Sequence, residues 1–178
     1  GQVAGHQIVG DYSDPSCLRE LAESCDVITF ELEDVDTATL VSLAGEGHRI
    51  FPRPELLAMI QDKYRQKEFL AAQGIPTSHF IDMPAPDPDA FAAFGYPLVQ
   101  KARRGGYDGR GVAILNGPED YDQHLPVAAY LERFVVADRE LAVLVARNPG
   151  GECKVYPTVE MRFHSSSNVL DFLLAPAS

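Results

Sequence analysis

The sequence predicts a mixed α/β (α+β) chain, with a parallel helix-and-strand unit at its start and antiparallel strands at its end. Two observations carry this. Over residues 14–50, stretches with helical spacing alternate with short apolar runs, the order that builds a parallel sheet. From residue 131 onward, strand-like segments follow one another with only turns between them, the order of an antiparallel sheet.

Asp14 ahead of Pro15 is a cap followed by a first-turn proline, and Leu18, Leu21 and Ala22 give the apolar spacing of a helix. Residues 27–30 form a short buried strand that ends in Glu31 and Glu33. Residues 37–44 give a second helix, followed by the turn GEGHR and a short strand around Ile50. Two such units supply too few strands for a stable open sheet, so this module is expected to be incomplete. Pro52 and Pro54 mark a boundary. Residues 55–73 read as one helix with Leu56, Met59, Ile60 and Tyr64 on one face, stopped by Gly74 and kept from resuming by Pro76. Then come a strand over 78–82, a proline-rich loop, a helix over 89–94, a strand over 98–102, a glycine-rich loop, a strand over 111–115 and a helix near 118–124. The last strands are LERFV, ELAVLVARN, CKVYPTVEM and VLDFLLAPA, with Asn148-Pro149-Gly150-Gly151 turning the chain between the second and third. Three segments result: 1–52, 53–130 and 131–178.

Composition bounds the function. With 178 residues, 46% of them hydrophobic, the chain can hold one domain or two small ones with a real core. No run approaches the ~18 apolar residues of a membrane helix, and the first residues lack the order of a signal peptide, so a soluble, cytoplasmic protein is expected. Three cysteines (Cys17, Cys25, Cys153) without C-x-x-C spacing argue against both a disulfide framework and a zinc site. Fifteen Lys and Arg against 26 Asp and Glu give a net charge of −11, which repels nucleic acid and anionic lipid, so neither is an expected partner.

The stretch Arg103-Arg104-Gly105-Gly106-Tyr107-Asp108-Gly109-Arg110-Gly111 runs against that acidity. It holds four glycines in seven positions, and with Lys101 it gathers four cations against the single acid Asp108. Glycine lets backbone N–H groups approach an anion closely, the way such loops cradle phosphates, and Lys101 would add a point charge. A hairpin loop with solvated cations is the competing reading. The pattern is neither a Walker loop nor G-x-G-x-x-G at a strand-to-helix turn.

The strings DVITFELEDV, IQDKYRQKEFLAAQGIPT, GYPLVQKARRGGYDGRG, DRELAVLVAR and VYPTVE span nearly the whole chain. Together they resemble the ATP-grasp superfamily and, within it, the N5-carboxyaminoimidazole ribonucleotide synthetase family, the ATPase subunit of phosphoribosylaminoimidazole carboxylase. RRGGYDGRG is the string most specific to that family. The resemblance implies an ATP-grasp fold. Residues 1–52 would be part of a biotin-carboxylase-like N-terminal α/β module, 53–130 a linker helix and lid subdomain, and 131–178 the first strands of a larger antiparallel subdomain.

By the same resemblance, Lys63 and Lys101 contact ATP phosphates, and Lys101 and Arg110 are the catalytic candidates. Gly106, Tyr107, Asp108, Gly109, Arg110, Gly111 and Val112 belong to the loop that closes over the triphosphate. Glu132, Arg133, Phe134 and Val135 form the hinge that reads the adenine edge, and Glu140 holds the ribose hydroxyls in the same cleft as Lys101. Tyr107, Asp108 and Arg110 contact the ribonucleotide, with Glu31 or Glu33 beside them. His164 is a candidate near the nucleotide, one residue beyond Phe163, which stands where relatives carry histidine. From the residues alone, Glu132 and Glu140 read as exposed strand acids, while Glu31 and Glu33 read equally as acids at a helix start and His164 equally as a solvated loop histidine.

The activity implied is ATP-dependent carboxylation of 5-aminoimidazole ribonucleotide with bicarbonate, in a cytoplasmic homodimer that uses Mg2+. This chain is expected to match the middle of such an enzyme, with the magnesium ligands outside it and no activity in isolation. The alternatives are another ATP-grasp ligase, transformylase-like or biotin-carboxylase-like, and a catalytically inactive nucleotide-binding fragment.

Overall fold

The computed structural model describes residues 4–106, 111–164 and 170–177. Its first helix, α1 (Pro15–Ser24), starts where Asp14 accepts a hydrogen bond from the Ser16 N–H, and α2 (Thr37–Gly45) starts where Asp36 accepts from the Thr39 N–H at 3.1 Å. Between them the buried strand expected over 27–30 reduces to a single parallel bridge, Ile28 to Ile50, with Val27 45% exposed. With no further strand beside them among the described residues, two short extended segments have little ladder to lengthen into. Leu18, Ala22, Ile28, Val35, Leu40, Leu43, Ile50 and Leu57 close the first core.

The single helix expected over 55–73 is two. α3 (Pro54–Ile60) and α4 (Lys63–Ala72) are separated by Asp62, whose backbone is extended. The Asp62 carboxylate accepts from the N–H groups of Tyr64 and Arg65, each at 3.2 Å, so it caps a new helix rather than continuing the old one. Gln61 is drawn back to the first module, its Nε2 donating to the carbonyls of Glu33 (2.6 Å) and Val35 (2.8 Å). Within α3, Leu57 rather than Leu56 faces inward: Leu57 is buried in the first core and Leu56 is exposed. α4 ends as expected: Gly74 takes φ +70°, and the Ile75 N–H donates to the Leu70 carbonyl.

Four strands form the central sheet: β1 (Phe80–Met83), β2 (Leu98–Ala102), β3 (Val112–Leu115) and β4 (Ala129–Arg133), in the order β1-β4-β2-β3 and antiparallel throughout. The boundary drawn at 130/131 thus falls inside β4, whose pairing carries the sheet on to Arg133. α5 (Pro88–Phe94) and a 3₁₀ turn over Pro118–Gln123, in place of the expected helix, cover one face. There Met83, Phe91, Phe94, Leu98, Leu115 and Leu131 make the second core.

The remaining strands are short. β5 (Glu140–Ala142), β8 (Val159–Phe163) and β9 (Leu170–Leu174) form a three-stranded sheet in the order β5-β8-β9, and β6 (Val145–Arg147) pairs with β7 (Cys153–Val155) across the Asn148–Gly151 turn. The side chains of β9 are exposed along its length. No helix among the described residues is long and apolar enough to cross a membrane.

Candidate functional site

Strand periodicity builds one wall of the site. On β2, Leu98, Gln100 and Ala102 turn inward, so Lys101 stands on the opposite face. On β4, Leu131 joins the core while Tyr130 and Glu132 share the Lys101 face; Lys101 sits directly opposite Tyr130 in the register. Helix α4 forms the other wall. Lys63, Gln66, Lys67 and Leu70 recur at helical spacing on its inner side, and all four line a cavity of about 410 Å³ with Thr77, Lys101, Gly106, Gly111, Val112, Tyr130 and Glu132. That volume lies within the range of small-molecule sites.

At the centre one carboxylate holds two ammonium groups. Glu132 Oε1 accepts from Lys67 Nζ at 2.9 Å and from the Ser78 hydroxyl, while Glu132 Oε2 lies 3.1 Å from Lys101 Nζ. Lys67 also donates to Thr77 and Ser78. Burial pushes the Glu132 carboxyl up, but hydrogen bonds from Ser78 and Lys67 and the charge of Lys101 outweigh it and hold the group below its ordinary value. Burial, with the Glu132 charge beside it, pushes the Tyr130 phenol up, so that it stays protonated. Lys63, Lys67 and Lys101 against Glu132 leave an excess of positive charge in a chain of net charge −11. An anion with several oxygens is the chemical complement of such a cavity.

The base of the glycine loop closes the cavity. Lys63 Nζ donates to the Gly106 carbonyl at 3.3 Å. Gly111 takes φ +77°, and a Cβ there would stand 2.9 Å from the Gly106 Cα, so both the conformation and the close approach demand glycine.

Of the residues expected from the sequence, the structure brings Lys63, Lys101, Gly106, Gly111, Val112 and Glu132 to one cavity. Tyr107, Asp108, Gly109 and Arg110 lie outside the described residues. Arg133 is exposed at the end of β4, its N–H donating to the His79 carbonyl at 2.9 Å; Phe134 is half-buried and Val135 exposed beyond the strand. Glu140 is exposed on β5, in a different sheet, and does not line the cavity. His164 is exposed after β8, and Glu31 is exposed ahead of α2. A second cavity, of about 500 Å³, sets Asp34, Val35, Asp36 and Thr37 against Arg104 and Gly105, next along the chain from Glu31 and Glu33.

The reading of Glu132 as an exposed strand acid is overturned, since its side chain is 13% exposed and doubly paired. Sequence reasoning missed Lys67 and Gln66. The available signal was their spacing from Lys63, i+3 and i+4 on a helix that begins at Lys63. Among the described residues, no group of three or more His, Cys, Asp or Glu side chains is placed to hold a metal ion, so the magnesium implied by the resemblance finds no ligand set there.

Two family models match the chain: the ribonucleotide synthetase preATP-grasp domain over residues 1–61 and the ATP-grasp domain over 68–178. They meet near the helix break at Asp62. The N5-carboxyaminoimidazole ribonucleotide synthase of Synechocystis sp. is 42% identical over 181 residues, a match covering 98% of this chain and 45% of that protein. The crystal structure of the N5-carboxyaminoimidazole ribonucleotide synthetase from Thermotoga maritima superposes with a TM-score of 0.85 at 40% identity, over 99% of this chain and 45% of that one. A structure of the Aspergillus clavatus N5-carboxyaminoimidazole synthase in complex with ADP and 5-aminoimidazole ribonucleotide gives a TM-score of 0.89 at 31% identity, over 99% of this chain and 47% of that one. The chain spans about half the length of these relatives. With a lysine-lined cavity that Gly106 and Gly111 also line and a family model matched over 68–178, the chain belongs to the ATP-grasp family.

Proposed function

We propose that this chain supplies the ATP-binding face of an enzyme that carboxylates 5-aminoimidazole ribonucleotide with bicarbonate in purine biosynthesis. The observation that carries the reading is the Lys67–Glu132–Lys101 cluster, which shares one cavity with Lys63, Gly106 and Gly111. The relatives' names supply the substrates.

In the reaction, a bicarbonate oxygen attacks the γ-phosphorus of ATP and ADP leaves, forming carboxyphosphate. The ribonucleotide amine then attacks the carboxyphosphate carbon, phosphate departs, and the amine proton is lost as the N–C bond is completed. Phosphoryl transfer of this kind depends on positioning and charge neutralisation. Lys63 and Lys101 meet the phosphate oxygens, Lys101 exchanging Glu132 for phosphate while Lys67 keeps the carboxylate compensated. Backbone amides of the glycine loop complete the cradle, the hinge at 132–135 reads adenine, and Glu140 takes the ribose. Asp108 and Arg110 serve the ribonucleotide, and the 500 Å³ cavity beside Arg104 and Gly105 is where it lies against the first module. Mg2+ ligands come from outside the described residues, and the enzyme acts in the cytoplasm as a homodimer.

Binding titrations and steady-state turnover of the full-length enzyme that contains this chain test this. Lys101→Ala should abolish most ATP-dependent turnover, and Arg110→Ala should weaken the ribonucleotide roughly tenfold or more while ATP affinity changes little, since a charge-assisted bidentate contact is worth about 1.5–3 kcal/mol. Near-normal turnover in Lys101→Ala, or an Arg110→Ala protein that loses ATP and keeps the ribonucleotide, would overturn the assignment.

A further inference from the structure

Arg103 opens the glycine loop, yet neither it nor Asp62 lines the lysine cavity; both line another cavity, of about 620 Å³, with Arg104, Gly105 and Gly111. The Arg103 guanidinium is spent on carboxylates. Its Nε donates to Asp62 Oδ1 at 3.1 Å and its Nη2 to Asp62 Oδ2 at 2.7 Å, a two-point pair, while its Nη1 reaches Asp82 at 3.2 Å. The guanidinium also lies 4.9 Å over the Tyr64 ring. Asp62 is 6% exposed at its side chain and is the cap that starts α4.

The backbone doubles the connection, with the Lys63 N–H donating to the Arg103 carbonyl at 2.9 Å. The first residue of the lysine helix is therefore fixed to the first residue of the glycine loop. The same carboxylate decides where α4 begins, and hence which way Lys63 and Lys67 point.

We propose that Asp62 and Arg103 are a positioning pair that sets the lysine face of α4 at its working distance from the glycine loop, without touching nucleotide. The inference rests on the ATP-binding role proposed above. A merely structural ion pair would affect stability and affinity together; a positioning pair separates them.

The test titrates ATP into the wild-type protein, Asp62→Asn, Arg103→Met and the double variant, with melting temperatures alongside. Asparagine keeps a capping oxygen, so α4 can still start at Lys63. Each single variant should bind ATP about tenfold more weakly and melt earlier. The double variant leaves no lone buried charge, so it should regain most of the lost melting temperature while its ATP affinity stays about tenfold weak. If Arg103→Met does not fold, Asp62→Asn and the double variant decide in the same way. Phe91→Leu, on α5 rather than on a strand that carries a site residue, should lower the melting temperature and leave ATP affinity within about twofold.

Affinity recovering with melting temperature in the double variant overturns the inference, as does unchanged ATP binding in the folded single variants; both leave the proposed function standing. Wild-type protein that binds no ATP overturns that function and this inference with it.

Discussion

Lys67→Met removes the ammonium group of Lys67 and keeps most of its methylene stem. Lys67 Nζ stands 2.9 Å from Glu132 Oε1, with both side chains 13% exposed. Exposed ion pairs contribute about 0–1 kcal/mol, whereas breaking a fully buried one costs about 3–5. Glu132 keeps Lys101 at 3.1 Å and the Ser78 hydroxyl, so the loss lies between these limits. About 2 kcal/mol is expected at neutral pH, a fall in Tm of roughly 4–8 °C for a chain of this size. The folded-state pKa of Glu132 lies below its ordinary value, so its contribution is fully present above the unfolded value of about 4.3 and is lost as pH falls through the folded value. Removing Lys67 raises the folded value. The gap between wild type and variant should therefore be widest at neutral pH and narrow below the unfolded pKa. Urea unfolding midpoints at several pH values measure this. A gap that stays constant with pH would refute the argument and assign the cost to lost hydrogen bonds with Thr77 and Ser78.

Gly111→Ala should destabilise by about 1–3 kcal/mol, because alanine is strained at φ +77° and its Cβ meets the Gly106 backbone; thermal unfolding checks it, and an unchanged Tm would count against the described loop base. Thiol titration should find three free cysteines without reductant, with exposed Cys25 and Cys153 reacting faster than half-buried Cys17. Equal rates for all three would contradict that burial.

Local signals were the legible ones. Asp14-Pro15, Gly74 and the turn at 148–151 each act within a few residues, and the structure uses each where the spacing places it. The two strands flanking the glycine loop form a hairpin, which adjacency alone suggests. The order β1-β4-β2-β3 was not legible, since it depends on pairing between segments about fifty residues apart, which no local pattern encodes. The break at Asp62 was hidden because apolar residues continue through it, and hydrophobic spacing outweighed a capping residue in mid-run. Of the residues lining the cavity, Lys101 and the glycines were legible in the loop itself, and Lys63 only through the family resemblance. Lys67 and the buried Glu132 side chain depend on a helix packing over a sheet.

Strand β4 works on both its faces, Ala129 and Leu131 inward, Tyr130 and Glu132 toward the lysines. A library of core substitutions should accordingly split by element rather than by burial depth. Changes at Leu131 or at Leu98 on β2 shift the backbone that carries Glu132 or Lys101, so they should surface among ligand-affinity variants. Equally buried Phe91 should surface only among stability variants. Compensating substitutions should then arise on α4, across the cavity, rather than beside the original lesion.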